Sequence, residues 1–272
     1  METCMWGNKM KIILSRKGFD TTSGGCPSPI LPDGTLLTMP IPDNEALKYS
    51  DLQYNGCTYD RILSSLKPGR VYDGCHLDPD IREGVRVKVV NNWVPAFGQT
   101  GSALGILRNA GVTVGDLFLF FGIFRQTEYD PDGNLRFVKK KKPIQIVHSY
   151  LQVGEILDTP SKIERCSWHP HASVKGYHPE RNVVYLPCQR LSIHPAVPGC
   201  GVLSYREDRV LTMEDRSAAN WKEHSFLMPD HIIGNRKNSA KNGGIYYQGQ
   251  WQELVLKPSE SAEQWAKKII CE

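Results

Sequence analysis

Four short stretches of the chain hold the side chains best suited to chemistry. Cys75-His76-Leu77-Asp78-Pro79-Asp80 places one imidazole and two carboxyl groups within a few positions of each other. Such a set can work as an acid/base pair or hold a metal ion. In an extended segment His76, Asp78 and Asp80 would share one face, because side chains alternate along a strand. The plainer alternative is an Asp-rich turn leading into a helix, which Asp-Pro often supplies. Asp20 joins His76, Asp78 and Asp80 as the catalytic candidates, and no metal-ligand set is assigned.

Asp20 belongs to the second stretch, Ser15-Arg16-Lys17-Gly18-Phe19-Asp20, which runs into Ser23-Gly24-Gly25. A strand end followed by exposed backbone amides, with two cations beside it, makes an anion site. In the alternative reading the glycines only turn the chain and Arg16 pairs with a carboxylate. The third stretch is Phe97-Gly98-Gln99-Thr100-Gly101-Ser102, where Gln99 offers a neutral donor and acceptor for a base edge or a ribose. It reads equally as a loop entering a helix. Arg16, Lys17, Ser23, Gly24, Gly25, Gln99 and Arg125 are the substrate-binding candidates. The fourth stretch, Trp168-His169-Pro170-His171 with His178 nearby, could ligate a metal or stack a base, but reads first as a surface loop. The run Lys139 to Lys142 reads first as a solvated hairpin end and second as a phosphate-contact patch.

These stretches need elements to position them. Lys11 to Ser15 and Leu36 to Ile41 read as short strands, and Tyr59 to Leu66 as a helix with apolar residues at helical spacing, stopping before Pro68-Gly69. A second helix is expected within 99–111. Asp116 to Phe124 is apolar on both faces, so it belongs in the middle of a sheet or against helices on both sides. Asp130-Pro131-Asp132-Gly133 is a turn into a strand at Leu135 to Val138. One long or two short strands follow over Ile144 to Leu157. Further strands are expected at Val183 to Leu186, Gly201 to Tyr205 and Val210 to Thr212. Ile245 to Gln248 and Trp251 to Leu256 are expected to pair as a hairpin across Gly249-Gln250. The C-terminal helix has Ser259 as its cap, acids in its first turn, and Ala262, Trp265, Ala266, Ile269 and Ile270 as its buried stripe. The fold class expected is α+β, a strand-dominated mixed sheet or barrel with a few helices and the C-terminal helix packed on it.

Bulk properties set the limits. The 272 residues are 40% hydrophobic and 23% charged, ordinary for a globular chain, and the net charge of +4 is mild for a dedicated nucleic-acid binder. The longest apolar run falls far short of the ~20 residues of a spanning helix. Ile12-Ile13-Leu14 between charged residues makes no signal peptide, so the expectation is a cytoplasmic protein with eight reduced cysteines, without membrane contact. The cysteines include no CxxC, and there is no Walker-A lysine arrangement, G-x-G-x-x-G or H-E-x-x-H. No cofactor and no oligomeric state is indicated. Residues 1–9 are expected to be an extension, and 10–272 a single domain.

Taken together, several stretches resemble a known family. Met10 to Asp20, Pro27 to Gly34, His76 to Asp80, Phe97-Gly98-Gln99, Gly115 to Gly122 and Tyr150 to Ile156 are similar to motifs of the nucleotide-modification-associated domain family, third of its series. The similarity covers nearly the whole chain from Met10 and implies a role in modifying nucleotides or nucleic acid. Gly115-Asp116 before an apolar strand, with a later strand ending near Val153-Gly154, is also similar to the small barrels of PUA-like and ASCH-like domains. Three functions follow as expectations. The first is an enzyme acting on a nucleotide or a base, with Asp20, His76 and Asp78 reacting, Arg16 and Lys17 on phosphate and Gln99 on base or sugar. The second is a non-catalytic reader of modified or unpaired bases, stacking them on Trp93, Phe97 or Trp168. The third is a metal-dependent hydrolase using His76, Asp78 and Asp80. All rest on distant segments converging on one cavity.

Overall fold

The computed structural model describes residues 10–20, 23–173, 178–247 and 251–272. The extension expected over 1–9 and the turn expected at Gly249-Gln250 lie outside the described residues. Ten strands form one mixed sheet. They are β1 (Ile12–Arg16), β2 (Ser28–Ile30), β3 (Phe97–Thr100), β4 (Leu117–Tyr129), β5 (Leu135–Phe137), β6 (Ile144–Leu157), β7 (Asn182–Pro187), β8 (Cys200–Val202), β9 (Ile232–Ile233) and β10 (Glu253–Leu256). The main path runs β9-β10-β1-β4-β6-β7-β3, with β2 and β5 paired to β4 and β8 paired to β6. β1 and β2 run parallel to β4, and the other pairings are antiparallel. The helices are α1 (Tyr59–Leu66), α2 (Gly101–Asn109), α3 (Pro160–Ile163) and α4 (Glu260–Cys271). The fold class is α+β, strand-rich, with the sheet curled into a half-barrel.

The two-faced apolar pattern of β4 has a direct cause. Leu117, Leu119 and Phe121 pack in a cluster with Ala262, Ala266, Ile269 and Ile270 of α4, while Phe118 and Phe120 pack in another with Leu104 and Leu107 of α2. β1 and β10 obey the same alternation: Ile12, Leu14, Leu254 and Leu256 join the α4 side, and Ile13 and Val255 the α2 side. Ser259 caps α4, its Oγ accepting from Ala262 N at 3.3 Å. A third cluster, built on α1 with Phe19, Tyr49, Cys75 and Leu77, anchors the segment that carries His76 and Asp78.

Several boundaries differ from the sequence expectation. Leu36 to Ile41 is no continuous strand: Leu36 makes an isolated bridge to Ile30, and Ile41–Pro42 pairs with Cys75–His76. Pro40 and Pro42 lack the N–H groups a ladder needs. Trp251 to Leu256 does not pair with Ile245. β10 instead fills the place between β1 and β9, where its alternation serves both cores, and Gly244–Ile245 pairs with Ala240–Lys241. Val210 and Thr212 make only isolated bridges. None of the seven described cysteines is in a disulfide, and no described helix is long and apolar enough to cross a membrane.

Two features of this architecture create the site. β1 and β2 lie end to end along one edge of β4, opposite Leu117 to Phe121 and Phe124 to Gln126, and the chain between them leaves the sheet after Lys17 N donates to Phe121 O at 2.8 Å. The curl also brings β3, at one end of the path, against β10, near the other: Gln99 Nε2 donates to Glu253 Oε1 at 2.7 Å.

Candidate functional site

A cavity of about 430 Å³ opens at this junction, lined by Arg16, Lys17, Asp20, Ser23, Asp43, His76, Asp78, Gln99, Thr100, His171, Trp251 and Gln252 among others. The segments that had to converge do converge. Ser15 and Lys17 continue the face of Ile13, Glu253 that of Val255, and Gln99 that of Phe97, so the apolar interior of the curl ends in a polar layer. In that layer Glu253 Oε1 accepts from Ser15 Oγ at 2.9 Å as well as from Gln99, and lies 3.9 Å from Lys17 Nζ. Lys17 Nζ also sits 3.9 Å from Asp78 Oδ2 and 4.4 Å from the centre of the Phe97 ring.

Above this layer is a cluster of imidazoles and carboxylates. His76 leaves the short ladder with Ile41–Pro42, and its Nδ1 is 2.6 Å from Glu45 Oε1. His171 stands on the 3₁₀ turn Pro170–Ala172, its Nδ1 2.7 Å from Asn182 Oδ1 on β7. Asp78 Oδ1 accepts from Gly98 N at 2.6 Å, and His169 Nε2 lies 3.3 Å from the same oxygen. One donor atom each from His76, Asp78 and His171 lie within 4.8 Å of one another, a grouping compatible with a bound metal ion, as is Asp43, Glu45 and His76.

The charges are set by opposing effects. Burial alone would raise the Asp78 carboxyl, but contact with His169 and the charge on Lys17 outweigh it and hold the group well below the usual carboxylate range. Burial pushes His171 down to about 3, so it stands as a neutral imidazole. Burial also works against a charged His76, but its hydrogen bond to Glu45 and the nearby Asp78 carboxylate prevail, and the imidazole titrates above its ordinary value. Glu253 is raised by burial in spite of Lys17, Ser15 and Gln99. Burial lowers the Arg16 guanidinium, which pairs with Asp20 while its Nη1 has no hydrogen-bond partner among the described residues.

Of the sequence candidates, Arg16, Lys17, Asp20, Ser23, His76, Asp78 and Gln99 line this one cavity. Asp80 does not. Regular strand ends at His76 and Asp78 N turns back to His76 O at 3.1 Å, so alternation fails beyond it; Asp80 accepts from Arg86 at 2.5 Å and Trp93 at 3.0 Å. Gly24 and Gly25 turn the loop without lining the cavity: Gly25 adopts φ +84° and its N donates to Asp20 O at 2.8 Å. Arg125 donates to Val138 O at 2.8 Å and lies over Phe137, away from the cavity. The stretch read first as a surface loop is interior at its histidines, with His169 1% and His171 4% exposed. Of the expected stacking residues Phe97 is wholly buried; Lys139 to Lys142 are exposed, and Lys140, Lys141 and Lys142 line a separate hollow shared with Glu207, Glu214 and Asp215. Glu45, Asn182, Glu253 and Trp251 carried no local signal, since none lies in a motif.

No curated protein and no solved structure matches the chain. The sequence model described as nucleotide modification associated domain 3 matches residues 11–264, which takes in β1 through the start of α4 and every residue of the cavity. The match extends over nearly the full length, and the chain belongs to the nucleotide modification associated domain 3 family.

Proposed function

We propose that this protein is an enzyme that modifies a nucleotide or a base in nucleic acid, with the chemistry carried at the His76, Asp78 and His171 cluster. The observation that carries this is the make-up of one cavity: its roughly 430 Å³ falls in the range of small-ligand sites, with Arg16 on one wall and a buried imidazole–carboxylate cluster on another. Arg16 lines the cavity beside Asp20 and meets an anionic group there, as a guanidinium does for phosphate. Lys17, wedged between Asp78 and Glu253, balances their charge from beneath. Gln99 commits its amide nitrogen to Glu253 and its amide oxygen to Thr100 N, so it braces the floor of the cavity. Trp251 supplies an aromatic wall against which a base can stack.

The test offers the full chain a panel of free nucleotides and of DNA and RNA oligonucleotides, with products read by mass spectrometry. One class is expected to change mass. Asp78→Asn and His76→Gln should abolish turnover while shifting the melting temperature little, and Arg16→Gln should raise KM about tenfold or more, the loss of ~1.4 kcal/mol of binding. Turnover that persists in folded Asp78→Asn sinks the proposal. Binding that weakens steeply with salt and yields no product for any member of the panel moves the protein to the class of non-catalytic readers.

A further inference from the structure

The geometry points to a mononuclear site for a divalent first-row transition metal, formed by His76, Asp78 and His171. The inference rests on the modification reading for the substrate that the ion would meet, but the ion's presence stands on the cluster itself.

The first argument concerns which atoms face the ion. Asn182 Nδ2 donates to His171 O at 2.7 Å, so Asn182 Oδ1 is the acceptor and His171 Nδ1 carries the proton. The His171 lone pair is therefore on Nε2. A carboxylate oxygen only accepts, so His76 Nδ1 donates to Glu45 Oε1 and the ring's other nitrogen, Nε2, is its ligand atom. This is the arrangement by which metal-binding histidines are oriented, with the outer nitrogen on a carboxylate or an amide oxygen and the inner one on the metal. Asp78 is fixed the same way: Oδ1 accepts from Gly98 N beside His169, which leaves Oδ2, 3.9 Å from Lys17 Nζ, as the oxygen available to a metal ion.

The second argument concerns what the set selects. Two imidazoles and one carboxylate suit iron, manganese, cobalt or zinc rather than calcium or magnesium, which take oxygen ligands. Three protein ligands leave coordination positions for water or substrate, and all three residues line the cavity where a substrate would enter. The rival grouping of Asp43, Glu45 and His76 is weaker, because Asp43 is exposed and Glu45 is already engaged in orienting His76. His171 replaces the Asp80 of the sequence expectation, since Asp80 is tied to Arg86 and Trp93.

The test titrates the chelator-stripped full-length protein with Co(II). One equivalent is expected, with the visible absorption of cobalt in a nitrogen and oxygen site and no thiolate charge-transfer band. Asp78→Asn and His171→Gln should each weaken Co(II) binding at least ~100-fold, and Asn182→Leu, which removes the bonds to the outer nitrogen and the carbonyl of His171 but no ligand atom, about 10- to 100-fold. Negligible Co(II) uptake by the folded wild type overturns the site, as does a thiolate band. Unchanged affinity in folded Asp78→Asn and His171→Gln overturns it too. If those two variants fail to fold, Asn182→Leu and Glu45→Gln decide the matter, and unchanged affinity in both rejects the site. Stoichiometric Co(II) lost in the variants, with no nucleotide or nucleic acid turned over by the metal-loaded protein, would uphold the metal site and sink the modification reading alone.

Discussion

His171 owes its position to a residue without a side chain. A Cβ on Gly98 would stand 2.3 Å from the His171 ring, and the Gly98 N–H holds Asp78 Oδ1. One backbone position thus admits the imidazole and fixes the carboxylate beside it. Gly98→Ala must displace the ring, the β3 backbone or both. The expected outcome is loss of most turnover and metal affinity for about 1–3 kcal/mol of stability, the usual range for overpacking. Thermal melts with Co(II) titration check it; wild-type Co(II) affinity in a folded Gly98→Ala protein would show that ring placement is not what Gly98 serves.

At the scale of elements, β6 works through its irregularities. Its register against β4 shifts between Val147 and Ser149, so Val147 and Tyr150 both reach the α4 side while Leu151 and Val153 reach the α2 side. His148 sits at the shift, with Nδ1 3.2 Å from Thr38 Oγ1 and 3.0 Å from Ser149 Oγ. Burial pushes its imidazole from the ordinary 6.5 down to about 3, with Arg82 adding to the effect. The sign follows from proton counts. Between these values the unfolded chain binds a proton that the folded one refuses, so stability is full above about 6.5 and falls as pH drops toward 3. The slope contributed is at most ~1.4 kcal/mol per pH unit. In denaturant melts across that window His148→Gln should show a shallower loss than wild type. Identical slopes would mean that other groups govern the acid limb.

At the scale of the whole molecule, the hydrogen bond between Gln99 and Glu253 joins residues 154 positions apart and ties β3 to β10 across the curled sheet beneath the cavity. Glu253 is wholly buried, and its Oε2 has no hydrogen-bond partner among the described residues. A buried carboxyl contributes here through what it organises. Glu253→Gln keeps an acceptor for Ser15 and Gln99 and should stay within about 1 kcal/mol of wild type, whereas Glu253→Ala strands Ser15, Gln99 and Lys17 and should cost about 3 kcal/mol or more. Urea melts of the two variants give the comparison, and equal destabilisation by both would assign the role to packing volume rather than to the polar tie.

The sequence by itself determined what is local. Apolar spacing and a following Pro-Gly gave α1, Ser259 with its acidic first turn gave α4, and the unbroken apolar run at 117–121 required a strand covered on both faces. It also marked Arg16, Asp20, His76, Asp78 and Gln99 as polar groups worth watching, because unusual residue types cluster there. Only the tertiary structure decided which of them meet, that Asp80 turns away, and that His171 with its partner Asn182 completes the set. The physical reason is range. Propensity, capping and alternation act over a turn or a few strand positions. The meeting of β3 with β10, and of a 3₁₀ turn with the Cys75–His76 ladder, depends instead on strand order, curl and bulges, which sum over the whole sheet.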